Sequence, residues 1–186
     1  MEKTLVVSPE GKDSIILEKL LRLDGYNDIT LVSSAAEARR KFTNVTYRIV
    51  VINLPLQDET GRELALQFAA ADAGVLAIVK SGNEELFGRY GLEKGVYVQT
   101  RPLNRQMFHN AISFINIAQS RIIKLKEKNA SLLKTIEEMK VINKAKCMLI
   151  EVKGFSEEEA HHYIEKQAMD LRLAKIQIAE KILASC

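Results

Sequence analysis

The residues from Arg105 to Lys153 contain neither glycine nor proline, although the chain of 186 residues has 9 glycines and 3 prolines. These two residue types end helices most readily, and Asn104, directly before the span, is a favourable N-cap. The span therefore predicts a single helix of about 49 residues, which at 1.5 Å per residue is on the order of 70 Å long. A helix of that length needs a partner surface for its apolar stripe.

The apolar residues of this helix repeat with heptad spacing. Ile115, Ile122 and Ile136 fall at position a, together with Asn129 and Asn143. β-Branched residues at a with Leu-type residues at d favour a parallel two-stranded coiled coil, and a polar Asn at a fixes its register. We predict dimerisation through Ile122, Leu125, Asn129, Leu132, Ile136 and Met139. A second interpretation stays open: the stripe packs within one chain, because positions e and g lack complementary acids.

The first 116 residues alternate between β-rich runs and segments with helical periodicity. Apolar runs that are buried on both faces are typical of a parallel sheet with helices on each side. We therefore predict an α/β doubly wound, flavodoxin-like domain with five strands and five helices. The predicted strands are Thr4–Val7, Ile29–Ser33, Arg48–Ile52, Val75–Val79 and Val96–Gln99.

Sites in such sheets lie at the carboxyl ends of the strands. The residues at these ends are Ser8, Pro9, Asn53, Lys80 and Arg101. We therefore expect these five side chains to surround one pocket.

This region resembles a two-component receiver domain. Asn53 ends the third strand, Gly61 follows eight residues later, and Arg101 and Pro102 close the fifth strand, where a cis proline is expected. In receivers that work by phosphorylation, an aspartate at the Asn53 position accepts the phosphoryl group, acids after strand one hold Mg²⁺, and a lysine before the proline pairs with the phosphate.

The chain departs from that pattern at all three positions. Ser8 and Pro9 replace the acidic pair, Asn53 replaces the aspartate and Arg101 replaces the lysine. Because an amide is too weak a nucleophile to form an acyl phosphate, we expect a receiver fold that is not phosphorylated. Glu10 and the turn residue Asp58 are displaced from the strand ends and are not expected to substitute. The pocket is expected either to be a solvated strand edge or to hold an anion or small ligand.

The C-terminal third predicts a small three-helix domain. A helical pattern stops at Gly154, restarts at a capping box formed by Ser156 and Glu159, and stops again near Arg172. One face of the middle helix carries apolar residues at spacings of three and four, and the last helix repeats this pattern. These residues are Ala160, Ile164, Ala168 and Leu171, then Ile178, Ala179, Ile182 and Leu183.

This segment resembles an ANTAR domain, the RNA-binding module of bacterial antitermination regulators. The matching positions are Ala145, Lys146, Leu149, Ala160, Ala168, Met169, Asp170, Arg172 and Ala179. The resemblance implies RNA binding by a dimer that holds paired hairpins. Residues 1–116 carry 14 basic and 14 acidic residues, so the formal charge of +3 belongs to residues 117–186.

RNA recognition needs cations for phosphates and flat or polar groups for unpaired bases. The candidate RNA-binding cations are Lys146, Arg172 and Lys175, followed by Lys144 and Lys166. The neighbouring rings are His161, His162 and Tyr163. Adjacent histidines on a helix point about 100° apart, so we expect no metal site there.

No apolar run approaches the roughly 18 residues that a membrane span requires. The apolar core of the N-terminal segment is too short for a signal peptide. We therefore expect a cytoplasmic protein that does not contact a membrane. Cys147 and Cys186 lack metal-ligand spacing and are interpreted as reduced and structural. No cofactor is expected.

Together these features predict a bacterial transcription antitermination regulator without enzymatic activity. Its expected parts are a degenerate receiver at 1–116, a coiled coil at 117–143 and an overlapping ANTAR domain at 130–186. A regulatory partner protein or a small ligand at the receiver would replace phosphorylation as the input. The alternatives are a DNA-binding response regulator and a protein-interaction module that contacts no nucleic acid.

Overall fold

The computed structural model describes residues 3–185, without the side chains of residues 86, 89, 90 and 92. Cys186 therefore lies outside the described residues. The chain divides into two compact units, Met1–Ile123 and Lys124–Cys186.

The first unit is built on a five-stranded parallel sheet with the strand order β2-β1-β3-β4-β5. Each strand lies within one residue of its predicted position, which confirms the doubly wound fold. The strands are β1 (Thr4–Val7), β2 (Ile29–Val32), β3 (Ile49–Asn53), β4 (Gly74–Val79) and β5 (Val96–Thr100).

Helices cover both faces of this sheet. They are α1 (Lys12–Leu23), α2 (Ala35–Asn44), α3 (Arg62–Ala70), α4 (Gly88–Glu93) and the start of α5 (Arg105–Lys153), with a 3-10 helix at Glu84–Leu86. Successive strand residues point to opposite faces, so Leu5 and Val7 pack in one core with α3, whereas Val6 packs in the other. That second core joins the sheet to Leu17 of α1 and Phe108 of α5. Burial on both faces explains the continuous apolar runs of the strands.

Helix α5 extends from Arg105 to Lys153, as the absence of glycine and proline predicts. Asn104 Oδ1 caps its start by accepting hydrogen bonds from the Gln106 N–H at 2.8 Å and the Met107 N–H at 3.4 Å. Gly154 follows its last residue in the left-handed conformation, with a φ of 67°.

The first part of α5 remains in the first unit beyond the expected boundary at residue 116. Arg48 donates to the Asn116 carbonyl and to Ser120 Oγ. Ile115 and Gln119 lie so close to Gly74 that a Cβ atom there would collide with Ile115. These contacts explain why the unit ends at Ile123.

The second unit consists of the remainder of α5, α6 (Glu157–Leu171) and α7 (Lys175–Ala184). The first helix of the predicted three-helix domain is therefore the end of α5 itself. Four of the seven residues in the core are alanines, which let the helix backbones approach closely. The core comprises Ala145, Leu149, Ala160, Ile164, Ala168, Ile178 and Ala179. Ile182 and Leu183 are half-buried against it.

Two predictions about buried residues are wrong. Leu171 is 52% exposed, because α6 ends at Arg172 in the left-handed conformation and Leu173 packs against the core in its place. Cys147 on α5 is a free cysteine, as predicted, but it is exposed and therefore has no structural role in the core.

Over the described part of the chain, no helix combines the length and apolar character that crossing a membrane requires.

Candidate functional sites

The ends of β1, β3 and β5 bring Ser8, Asn53 and Arg101 together, as the parallel topology predicts. Asn53 donates from Nδ2 to Ser8 Oγ at 2.9 Å, and its Oδ1 accepts a hydrogen bond from Arg101. Ser8 and Asn53 are both 3% exposed. Both polar ends of this buried amide are therefore paired within the protein.

Arg101 also forms an ion pair with Asp13 in the first turn of α1, at 2.8 Å. Pro9 and Lys80 line the same cavity. The peptide bond between Arg101 and Pro102 is cis, as predicted, and so is that between Leu54 and Pro55, which the sequence analysis did not anticipate.

Asp13 is a site residue that sequence reasoning missed. It lies six residues beyond Val7, the last residue of β1, and its approach to Arg101 depends on the turn that leads into α1. The signal available was its position in the first turn of a helix that starts at the same edge of the sheet.

The buried side chain at the end of β3 is an amide and not a carboxylate, and the carboxylate of Asp13 is paired with Arg101. Within residues 3–185, no cluster of three or more histidine, cysteine, aspartate or glutamate side chains is arranged to hold a metal ion.

Asp58 has a structural role, in agreement with its interpretation as a turn residue. Its two carboxylate oxygens each accept a hydrogen bond of 3.0 Å, from the Ala35 and Ala36 amides at the start of α2. These hydrogen bonds hold the pKa of the Asp58 carboxyl below its ordinary value.

In the second unit, two of the candidate RNA-binding cations are engaged by acids. Lys146 Nζ lies 3.8 Å from Glu157, and its side chain is only 17% exposed. Lys175 Nζ lies 2.5 Å from Glu165 and links α7 to α6. The hydrogen bond from Lys175 is the main reason why the pKa of Glu165 is lowered.

Lys144, Lys166 and Arg172 are exposed, and among the side chains that the structure describes no carboxylate lies within 4.0 Å of them. The five cations do not form a single patch. Lys146 pairs with the first turn of α6, whereas Arg172 follows its last residue, about 20 Å away along a 15-residue helix.

The aromatic side chains lie near the acidic start of α6. Tyr163 is half-buried and packs edge-on against Phe155 at 5.7 Å between ring centroids, with Lys153 Nζ 4.9 Å from the Tyr163 ring. His161 and His162 are exposed, and His161 lies 3.3 Å from Glu165. Sequence reasoning missed Lys153, Phe155 and Glu165, although Phe155 is the only aromatic residue between α5 and α6.

The predicted seam of the coiled coil is exposed on the chain. Its members are Ile122, Leu125, Asn129, Leu132, Ile136 and Met139. Their apolar side chains are between 39% and 66% exposed. Ile115, at the first a position, is buried in the core of the first unit.

Comparison with known proteins assigns each unit to a recognised type. Residues 130–183 match the model of the ANTAR domain family. A segment of 88 residues is 31% identical to the aliphatic amidase regulator of Pseudomonas aeruginosa, and it covers 47% of this chain and 45% of that protein. The match therefore spans less than half the length of this relative.

Solved structures that resemble the chain include proteins described as receiver domains. A response regulator receiver domain protein from Clostridium thermocellum superposes with a TM-score of 0.57 at 22% identity, over 67% of this chain and 99% of that one. The receiver domain of the TMAO respiratory system response regulator TorR gives a TM-score of 0.56 at 18% identity, over 63% and 98%. At these identities the likeness establishes the fold. The chain thus carries a match to the ANTAR domain family at residues 130–183, behind a unit with the receiver fold.

Proposed function

We propose that this protein is a transcription antitermination regulator that binds paired hairpins in nascent leader mRNA as a dimer. The observation that carries the proposal is the ANTAR match at residues 130–183, which form a compact helical unit with exposed cations. The aliphatic amidase regulator, a protein named for a regulatory role, is consistent with it.

Regulation would follow from competition between two RNA folds. A dimer that holds two hairpins stabilises them against an overlapping terminator, so that polymerase continues. If binding favours one fold by about 3 kcal/mol, the ratio of the folds changes more than a hundredfold, because each 1.4 kcal/mol is a factor of ten. No enzymatic step is needed.

The receiver unit acts in this proposal without phosphorylation. Its support is the pairing of Asn53 with Ser8 and Arg101, which fills the position of the phosphate acceptor with a satisfied amide. Acetyl phosphate with Mg²⁺ should leave the mass of the protein unchanged, and a stable phosphoryl adduct in this unit would contradict the proposal. In place of phosphorylation, a regulatory partner protein or a small ligand would supply the input signal.

Dimerisation is supported by the exposed seam of α5. Apolar side chains repeat there at heptad spacing on a helix that has no covering element between Leu125 and Met139 in the described chain. A second copy presenting the same stripe would bury it, and Asn129 would pair with its counterpart.

The RNA activity can be tested without knowing the target in advance. RNA that co-purifies with the full chain would be sequenced, transcribed and used in gel-shift assays beside duplex DNA of the same sequence. We expect retention of an RNA with two neighbouring stem-loops and weak retention of the duplex. Arg172→Glu should weaken RNA binding by tenfold or more, whereas Lys41→Glu, the same charge change on α2, should not.

The two alternatives make different predictions in this assay. A DNA-binding regulator would retain the duplex, but α7 is at least half apolar and carries Glu180, whereas a recognition helix needs exposed basic and polar residues for the major groove. A protein-interaction module would retain neither nucleic acid.

A further inference from the structure

The last turn of α6 exposes two large apolar side chains, next to the connection to α7. Met169 is 78% exposed and Leu171 is 52% exposed, although Ala168 beside them is buried in the core of the unit. Neither side chain contributes to that core, so the fold of the unit does not account for their apolar character.

Arg172, at the same turn, has an unfavourable backbone conformation. Its φ of 51° places it in the left-handed region, where glycine is the usual residue after a helix. The Arg172 N–H donates to the Met169 carbonyl and the Leu173 N–H to the Ala168 carbonyl, which is the Schellman pattern. The backbone therefore requires only a left-handed residue, and an arginine occupies a position where glycine would be less strained.

Helix α7 begins at Lys175, three residues after Arg172, without a side-chain cap. Ala174 occupies the N-cap position and has no acceptor, and only the reciprocal hydrogen bond from the Ala174 N–H to Gln177 Oε1 is formed, at 3.1 Å. The first amides of α7 are thus open to an anion from outside the helix.

Charge distinguishes this turn from the opposite end of α6. The segment from Lys166 to Lys175 contains one acid, Asp170, and three cations, of which Lys175 is paired with Glu165 while Lys166 and Arg172 are not paired with an acid among the described side chains. The first turn of α6 contains Glu157, Glu158 and Glu159. Phosphates are repelled by that acidic start and attracted to the basic end. Exposed apolar side chains beside unpaired cations fit a nucleic acid, which presents phosphates and unstacked bases together.

We propose that the α6–α7 corner, Met169–Lys175, is the surface that takes the loop of an RNA hairpin. Arg172 and the open amides of α7 bind a backbone phosphate, while Met169 and Leu171 contact an unpaired base. The inference rests on the proposed RNA binding and specifies its location and chemistry. The aromatic cluster of Phe155 and Tyr163 then lies away from the RNA.

Arg172→Gly separates the two roles of this residue. Glycine relieves the left-handed strain, so thermal unfolding should occur about 2–4 °C higher, because glycine is the favoured residue after the helix. The same change removes the phosphate contact, so affinity for the hairpin RNA should fall about tenfold and the salt dependence of binding should lose about one ion.

Met169→Ala tests the contact with the base. Affinity should fall about tenfold with an unchanged salt dependence, since an apolar contact releases no counterions. Met107→Ala is the matched control, because Met107 is 57% exposed on α5 in the first unit. That control should bind RNA like the wild type.

The outcomes distinguish this inference from the proposed function. Wild-type protein that fails to bind RNA contradicts both. If the wild type binds RNA and both Arg172→Gly and Met169→Ala bind it with unchanged affinity, the assignment of the α6–α7 corner is wrong, whereas the proposed RNA binding stands. A shift of Met169→Ala from dimer to monomer in sedimentation would identify a second copy as the occupant and would also overturn that assignment.

Discussion

Arg101 joins three elements of the first unit through a single guanidinium group. It donates to the buried Oδ1 of Asn53 at the end of β3 and pairs with Asp13 on α1. Removing it leaves Asn53 Oδ1 without its donor in a site that is 3% exposed. An unsatisfied buried acceptor costs about 1–3 kcal/mol.

Arg101→Ala should therefore lower the free energy of unfolding by about that amount. Urea denaturation followed by far-UV circular dichroism measures the change. Arg105→Ala is a suitable control, because Arg105 is an exposed arginine at the start of α5. Equal midpoints for the two variants would contradict the pairing.

Asp58 gives the first unit a pH-dependent contribution to stability. Hydrogen bonds from the Ala35 and Ala36 amides lower its pKa below the ordinary 3.8. A carboxyl with a lowered pKa in the folded state stabilises the protein fully above its ordinary pKa, and the contribution is lost as the pH falls through the lowered value.

Asp58→Ala should cost about 1 kcal/mol at pH 7, as for the loss of a helix cap. The difference from the wild type should shrink as the pH is lowered below 3.8, when the wild-type carboxyl also becomes protonated. Urea midpoints at several pH values measure this convergence. Parallel curves for Asp58→Ala and the wild type would contradict the capping role of Asp58.

Among the elements, those governed by local chemistry were the most predictable. Asn104 and Gly154 set the two ends of α5, and Ser156 with Glu159 forms the predicted capping box. The prediction that Leu171 lies on the apolar face that packs in the core is wrong. Helical periodicity places it there, but the left-handed Arg172 turns the chain, and Leu173 packs against the core instead. A left-handed conformation at a residue other than glycine is difficult to predict from a sequence.

The seam of α5 yields a test with neighbouring residues of one type. Ile122, at position a, is 39% exposed, and Ile123, at position b, is 40% exposed. Aspartate should therefore perturb the isolated chain similarly at either position. Of these two positions, only position a is buried in a coiled-coil dimer, and an unpaired buried charge costs several kcal/mol.

Ile122→Asp should sediment as a monomer at concentrations where the wild type and Ile123→Asp are dimers. Analytical ultracentrifugation at several loading concentrations measures this difference. If Ile123→Asp dissociated and Ile122→Asp did not, the heptad assignment would be wrong.

At the scale of the whole molecule, the sequence predicted which residues meet at the strand ends but not how charges are distributed. Parallel strands bring Ser8, Asn53 and Arg101 to one edge whatever the loops do, so topology alone places them. The partners of Lys146 and Lys175 depend instead on how three helices pack, since Glu157 and Glu165 are distant from them in sequence. The sequence therefore predicted more cations available to RNA than the structure leaves unpaired, because Lys146 and Lys175 are engaged by acids.

Dimerisation and RNA binding are coupled in the proposed function through avidity. When one ANTAR unit of a dimer has bound a hairpin, the second unit meets the neighbouring hairpin at an effective concentration near the millimolar range. An RNA with two hairpins should then bind the wild type about a hundredfold more tightly than an RNA with one. A monomer gains only the statistical factor of about two from a second site, because its dissociation breaks a single contact.

Filter binding of one-hairpin and two-hairpin RNAs to the wild type, Ile122→Asp and Ile123→Asp measures this coupling directly. All three proteins should bind the single hairpin alike, because the seam lies outside the α6–α7 corner. The preference for paired hairpins should collapse in Ile122→Asp and persist in Ile123→Asp. A monomeric Ile122→Asp that kept the full preference would mean that one chain holds both hairpins, and the paired-chain mechanism would then be wrong.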